Sequence, residues 1–290
     1  MNYNEAHRRD RRRFWVGVPL AWIMFGLGLP VLELARVSAA SSDHGWFEVF
    51  RHITTTELYQ RVLLNTVWIS LQVVFFTALV AYPIAYVVGH AAERAGRLLF
   101  FAIISSMWIS ILIRTYAWTV LLQRTGPISN ALVSLGVFNE LQSFMHSRFA
   151  VVLGMTHIMT PYMVVSILSA SGKRLSEFSY ISRVFGATTF LYLVRVFIPQ
   201  TMRGAIAGSG LVLLLSLGFY ITPELLGGGK GETMMIAVLI DEQISTLGNW
   251  STGAALSLLL IGTVVSALLA MYSVPAVRRY VDRLGHHDKS

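Results

Sequence analysis

An arginine inside an apolar run is the first residue of this sequence with chemistry to explain. Arg114 stands within the stretch Leu98 to Leu122. Burying it in a membrane span costs about 2.5–3.5 kcal/mol on insertion scales. It must therefore face a partner, a polar cavity or the middle of a helix bundle. Glu224, at the end of a later apolar segment, is expected at a similar depth and is a candidate partner. A structural salt bridge, snorkelling to the outer interface and a place in a transport pathway all remain open for Arg114. Asp241 and Glu242 follow the apolar run Met234 to Ile244. A helix dipping in from outside would set them at a gate; a solvated loop is the plain alternative. Trp108, Tyr116, Trp118, Phe219, Tyr220 and Trp250 cluster near the same outer ends. Aromatic faces with carboxylates are what a bound amine requires, although interfacial belts account for many such aromatics. The candidates for a substrate pathway or gate are thus Arg114, Trp108, Trp118, Tyr220, Glu224, Asp241 and Glu242.

The other reactive types point away from catalysis. His157 lies beside Thr156 and Thr160 in an apolar run, where a packed, hydrogen-bonded core residue is expected rather than a proton relay. HExxH, GxSxG, a Walker A sequence and metal-spaced clusters are all missing, so no catalytic residue and no metal ligand is assigned. Gly227-Gly228-Gly229-Lys230-Gly231 lacks the GxxxxGK[ST] spacing of a phosphate loop. The chain has no cysteine, which excludes disulfides and thiol chemistry.

These residues need a membrane to position them. The 290 residues are 54% hydrophobic and only 13% charged, with a mean hydropathy of +0.60. Soluble domains carry about 25% charged residues. Six spans are expected, near Phe14–Ala35, Gln60–Gly89, Leu98–Leu122, Phe149–Ser171, Ala205–Thr222 and Ser251–Val274. Pro83 and Pro161 fall inside the second and fourth. Sixteen of the 23 Lys and Arg fall on one side of this topology, and both termini share that side. The positive-inside rule makes it the cytoplasm. The formal net charge of +8 is explained by this orientation rather than by nucleic-acid binding. The expected organisation is a basic tail at 1–13, one six-helix membrane domain at 14–274 and a tail at 275–290. Between the third and fourth spans, Gly126-Pro127 marks a turn and Ile128 to Leu135 a short helix.

The largest cytoplasmic segment, 172–203, is the most patterned. It carries Lys173, Arg174, Arg183, Arg195 and Arg203. Phe185-Gly186-Ala187 interrupts two helix-like runs, and Ile198-Pro199 follows. Glycine allows a tight turn, and proline is expected to end or kink the second run. A short helix, a glycine turn and a second amphipathic helix result. Small residues come next, from Gly204 through Ala205, Ala207, Gly208 and Ser209 to Gly210, and these let helices approach closely.

At Gly186-Ala187, Pro199 and the small residues after it, the chain resembles the membrane subunits of ABC importers, whose cytoplasmic loop places an acidic triplet before Gly-Ala. Here Tyr180-Ile181-Ser182 stands where that triplet would be, and the nearest carboxylate is Glu177. Three further stretches, Leu112 to Trp118, Tyr220 to Gly228 and Asn249 to Ala255, are similar to the first permease of the spermidine/putrescine-type group. The resemblance implies an all-α fold of the MetI-like, type I importer class, in a bacterial inner membrane. It implies a permease carrying half of the pathway for a small amine, with opine, GABA-like or other amino-acid-derived solutes as the alternative. It also implies four kinds of partner: a second, homologous permease, two ATPase subunits, a periplasmic binding protein and the lipid bilayer. ATP and magnesium would be used by the ATPases, with no cofactor on this chain. Coupling would fall to Glu177, Tyr180, Arg183, Gly186, Ala187 and Pro199. An ATP-independent channel or secondary carrier is a remoter reading, and it would need intramembrane acids that the second, fourth and sixth expected spans lack.

Overall fold

The computed structural model describes residues 22, 25–26, 28–39, 51, 55–171 and 175–273. The expected tail at 1–13, most of the first expected span, positions 172–174 of the loop and the tail from 275 lie outside the described residues. Residues 28–39 are helical and form α1. They are followed by α2 (Glu57–His90), α3 (Glu93–Ser106), α4 (Ile111–Leu122), α5 (Pro127–Ser134), α6 (Arg148–Ser171) and α7 (Leu175–Val184). One helix, α8, runs over Thr189–Leu217. Then come α9 (Ile221–Gly227), a 3-10 turn (Gly231–Thr233), α10 (Ile236–Asp241) with a π turn at Glu242–Thr246, and α11 (Trp250–Ser273). There is no β-strand among the described residues.

Four of these helices, α2, α6, α8 and α11, are long and apolar enough to cross a membrane, and a bent pair could supply a fifth. At about 1.5 Å per residue the 34 residues of α2 extend roughly 51 Å, well beyond a hydrocarbon core of about 30 Å. Such a helix tilts or projects.

The expected third span is broken. Its two halves, α3 and the segment from Ile111, meet at 90°. The cause is local. The Ser105 and Ser106 hydroxyls donate back to the carbonyls of Ala102 and Ile103, in competition with the backbone ladder. The amides of Met107, Trp108 and Ile109 reach only three residues back, to Ile104, Ser105 and Ser106. The ladder tightens and stops, and Ile111 opens a new helix.

The expected fifth span begins earlier than its apolar residues suggest. Pro199 does not end the second loop helix, because α8 runs through it. A proline at this point lacks a donor and crowds the carbonyl four residues back. Here the preceding turn, Leu193–Phe197, is π-wound, and Ile198 N–H reaches Leu193 O. The wider turn accommodates the ring. At the other end the helix stops at Leu217, and the Pro223 segment is a helix in its own right, with Thr222, Pro223, Leu226 and Gly227 buried.

The chain divides into two compact units, Met1–Thr56 with Ile240–Leu259 and Glu57–Leu239 with Leu260–Ser290. In the first, the Ser251 hydroxyl donates to Ser38 O at 3.1 Å. In the second, α6 is the hub and packs most extensively against α8 and α2. Its Val151, Met155, Ile158, Met159, Met163 and Ile167 are all buried. Gly204 and Gly208, one turn apart on α8, lie directly against Ser166, Ile167, Ala170 and Met163 of α6. This is the close approach that the run of small residues predicts.

Candidate functional site

Two places in the second unit gather the residues singled out in the sequence. The first is a cavity of about 780 Å³ between α2, α3, α4 and α6. It exists because α3 breaks off and turns away, while α6 presents a stripe of Leu153, Thr156, His157, Thr160, Pro161 and Val164. That 3–4 spacing puts all six on one helix face. Arg114, in the first turn of α4, also lines the cavity and is only 7% exposed. Trp118, one turn later on the same face, donates its indole N–H to His157 Nδ1 at 3.3 Å. The two rings meet edge-on, with centroids 5.8 Å apart.

Arg114 and Glu224 do not pair: no ion pair joins them among the described residues. The reason is helical phase. α4 and α9 are joined through Thr115 and Thr222, whose hydroxyls lie 3.0 Å apart. Arg114, one residue before Thr115, is rotated by about 100° from that contact. Among the described residues its Nε has no hydrogen-bond partner, and neither has the buried Thr156 Oγ1. Glu224 is half-buried and sits instead by Gly229, where an added Cβ would stand 2.8 Å from its Oε2.

His157 is not the core residue expected from its apolar run. It is an exposed position on the cavity stripe, held by Trp118. The signal was the polar triplet Thr156, His157, Thr160 at one-turn spacing. Trp108 sits in the break between α3 and α4 and is 88% exposed, and Tyr220 precedes α9 and is partly exposed. Neither lines the cavity. Asp241 and Glu242 belong to the other unit, at the junction of α10 with its π turn. Ser245 donates its hydroxyl to Asp241 Oδ1 at 2.8 Å, and Glu242 is exposed. The run before them is helical and well buried at Ile236, Val238 and Leu239, rather than a solvated loop.

The second place is the helix–turn–helix of the long loop. Gly186 has φ +76°, in the left-handed region that glycine enters without cost. Ala187 N–H bonds back to Ser182 O at 3.0 Å. This closes α7 with a six-residue Schellman turn. Thr188 then caps α8 by accepting Leu191 N–H. Tyr180, Ile181, Val184 and Phe185 are exposed, Phe185 at 85%. Glu177 and Arg183 lie on α7, and their side chains are outside the described residues. Behind the turn, Tyr86 and His90 at the end of α2 close an aromatic cluster with Tyr192 and Phe197 of α8. His90 Nδ1–H donates to Tyr86 O at 2.8 Å, so its Nε2 accepts from the Tyr192 hydroxyl, also at 2.8 Å. Sequence reading missed this clamp, since its members are 102 residues apart.

The family model described as binding-protein-dependent transport system inner membrane component matches residues 81–279. The chain is similar to the spermidine/putrescine transport system permease protein PotB of Haemophilus influenzae, at 30% identity over 265 residues, covering 89% of this chain and 91% of that one. Among solved structures, a chain of a bacterial alginate ABC transporter in complex with an alginate-bound periplasmic protein superposes with a TM-score of 0.71. It is 16% identical and covers 96% of this chain and 99% of its own. A chain of the inward-facing MetNI methionine ABC transporter gives a TM-score of 0.51 at 17% identity, over 78% of this chain and 99% of its own. These two likenesses are of fold.

Proposed function

The chain belongs to the binding-protein-dependent transport system inner membrane components, and from that premise we propose that it imports a small amine of the spermidine/putrescine class as one half of a paired permease. It is a multi-pass component of the inner membrane and the non-catalytic subunit of an ATP-driven importer. Six spans with both termini cytoplasmic complete the proposed topology. The partners are a second, homologous permease, two ATPases that use ATP and magnesium, and a periplasmic binding protein that delivers the solute.

The observation that carries this reading is the exposed face of α7. A short helix locked by a left-handed glycine, presenting Tyr180, Ile181, Val184 and Phe185 to solvent, is suited to seat in a groove on an ATPase. Glu177, Arg183, Ala187 and Pro199 belong to the same proposed coupling element. The amine reading draws its support from the similarity to the spermidine/putrescine permease. Tyr220, Glu224, Asp241, Glu242 and Trp108 are its proposed contacts. A carboxylate-bearing solute is the second reading, favoured by Arg114, which makes no ion pair among the described residues.

The test is ATPase activity of the reconstituted complex. Binding protein loaded with spermidine, putrescine, GABA or an opine is added in turn. Stimulation by a polyamine alone supports the amine reading. Stimulation only by a carboxylate-bearing ligand replaces it with the second. Failure to form any complex with an ATPase overturns the coupling role of α7.

A further inference from the structure

We propose that the cavity between α2, α3, α4 and α6 is a binding site for an oxyanion, a carboxylate or phosphate, carried on an apolar body. Its volume, about 780 Å³, falls in the range of roughly 300–1,000 Å³ typical of ligand pockets. Arg114 and Thr156 line it at 7% and 6% exposure, and Arg114 Nε and Thr156 Oγ1, both enclosed by protein, have no hydrogen-bond partner among the described residues. A buried cation without a counter-charge is strongly unfavourable, so the site is incomplete as the described residues build it. Trp118 occupies His157 Nδ1 as donor. The neutral ring therefore carries its proton on Nε2 and offers a further donor. No Asp or Glu is among the described residues that line the cavity. A guanidinium, an imidazole N–H and a hydroxyl without a carboxylate select an anion and repel a polyamine.

Apart from Ser106 and Thr160, the rest of the wall is apolar, with Val80, Ile84, Leu99 and Ile103 prominent. A small hydrated anion would leave that surface unused, whereas an amphiphile fills both parts. Leu79 and Phe101, the chain neighbours of the lining residues Val80 and Ala102, are apolar and exposed, which suits entry of the ligand from hydrocarbon. Two sources share the chemistry: the headgroup of an anionic membrane lipid and a soluble amphiphilic carboxylate. The inference requires the membrane setting of the family but not the identity of the imported solute.

The test uses the assembled importer in neutral detergent and follows its thermal stability. Phosphatidylglycerol and decanoate are titrated against phosphatidylcholine and decyltrimethylammonium. The wild type should gain stability with at least one anionic probe and not with the other two. Arg114→Gln should raise the half-saturating concentration about ten- to a hundredfold, the range expected for a lost charge-assisted hydrogen bond. Thr156→Val keeps the shape and the charge, so it reads the site even if the arginine variant folds poorly; it should raise that concentration severalfold. A response to phosphatidylglycerol alone supports the site with a lipid as its source, and a response to decanoate supports it with a soluble one. No response to either anion, an equal response to phosphatidylcholine, or unchanged half-saturation in both variants overturns it. Stimulation by loaded binding protein is read separately, so failure here leaves the import reading standing, and the reverse.

Discussion

Replacing Gly204 by alanine should separate the two helices at the heart of the second unit. A Cβ on Gly204 would overlap the Ser166 carbonyl oxygen, stand 2.7 Å from Ala170 Cβ and 3.0 Å from Ile167 Cα. Two of these three neighbours are backbone, and none is the tip of a flexible chain. Restoring ordinary contact requires α8 to move about 1 Å from α6. Overpacking of this kind costs roughly 1–3 kcal/mol, while alanine in a helix interior recovers about 0.8–1 kcal/mol relative to glycine. With two backbone neighbours in the way, the cost falls at the upper end of that range, and the net expectation is a loss of about 2 kcal/mol. Gly262→Ala is the control, because nothing described lies within 4 Å of its added Cβ. It should be neutral or slightly stabilising. The assay is thermal denaturation of the purified importer in one detergent, variant against wild type. A Gly204→Ala protein as stable as wild type, or a Gly262→Ala protein that falls as far, would refute the close-packing account.

Three further outcomes are expected. Gly186→Ala meets no neighbour, yet φ +76° costs an L-residue about 1–2 kcal/mol; α7 should fray, so solute-stimulated ATPase should fall while membrane insertion is unchanged, both read in the same vesicles. Tyr192→Phe removes the hydroxyl that donates to His90, a loss of about 0.5–1.5 kcal/mol, and hydrogen exchange at residues 175–192 should quicken. Thr233→Val strands the carbonyl of Gly227, which Thr233 Oγ1 satisfies at 2.7 Å inside the protein, and should lower stability by about 1–3 kcal/mol.

What was legible in the sequence followed from short-range rules. Apolar length found α2, α6 and α11 to within a few residues, and the glycine turn at Gly186 was readable because a left-handed residue between two helical runs has few other solutions. The small residues from Gly204 were readable for the same local reason. Where the reading went astray, the deciding contacts were hidden from a linear pattern. Apolarity continues unbroken past Ser105 and Ser106, so hydropathy could not register that their hydroxyls end α3. Pro199 was read by its usual effect, which a π turn upstream absorbs. The Arg114–Glu224 pairing rested on depth alone, and depth says nothing of rotation about a helix axis, which Thr115 and Thr222 decide. His157 was taken for a core residue because the apolar run around it outweighed Thr156 and Thr160, whose spacing with it marks the cavity face.

The continuity of α8 bears on how such a loop could work. Were Pro199 a true break, the loop's second helix could swing while the span stayed still. Instead the residues from Thr189 to Leu217 form one rod. Its loop end is clamped to the end of α2 through His90, Tyr192 and Phe197, and its middle is seated on α6 through Gly204 and Gly208. A push on α7 therefore reaches the core by two routes, the rod itself and the aromatic cluster. The π turn at Leu193–Phe197 lies within the clamp, between Tyr192 and Phe197, and it is where a helix register can shift at the least cost. A two-state device needs a ligand or partner that binds the two states differently. On the proposed coupling role of α7, a crosslink joining α2 to α8 at the clamp should stop solute-driven ATP hydrolysis while leaving binding-protein docking intact. Undiminished turnover in the crosslinked importer would mean that α8 moves as one body with α2, and that the coupling stroke lies elsewhere.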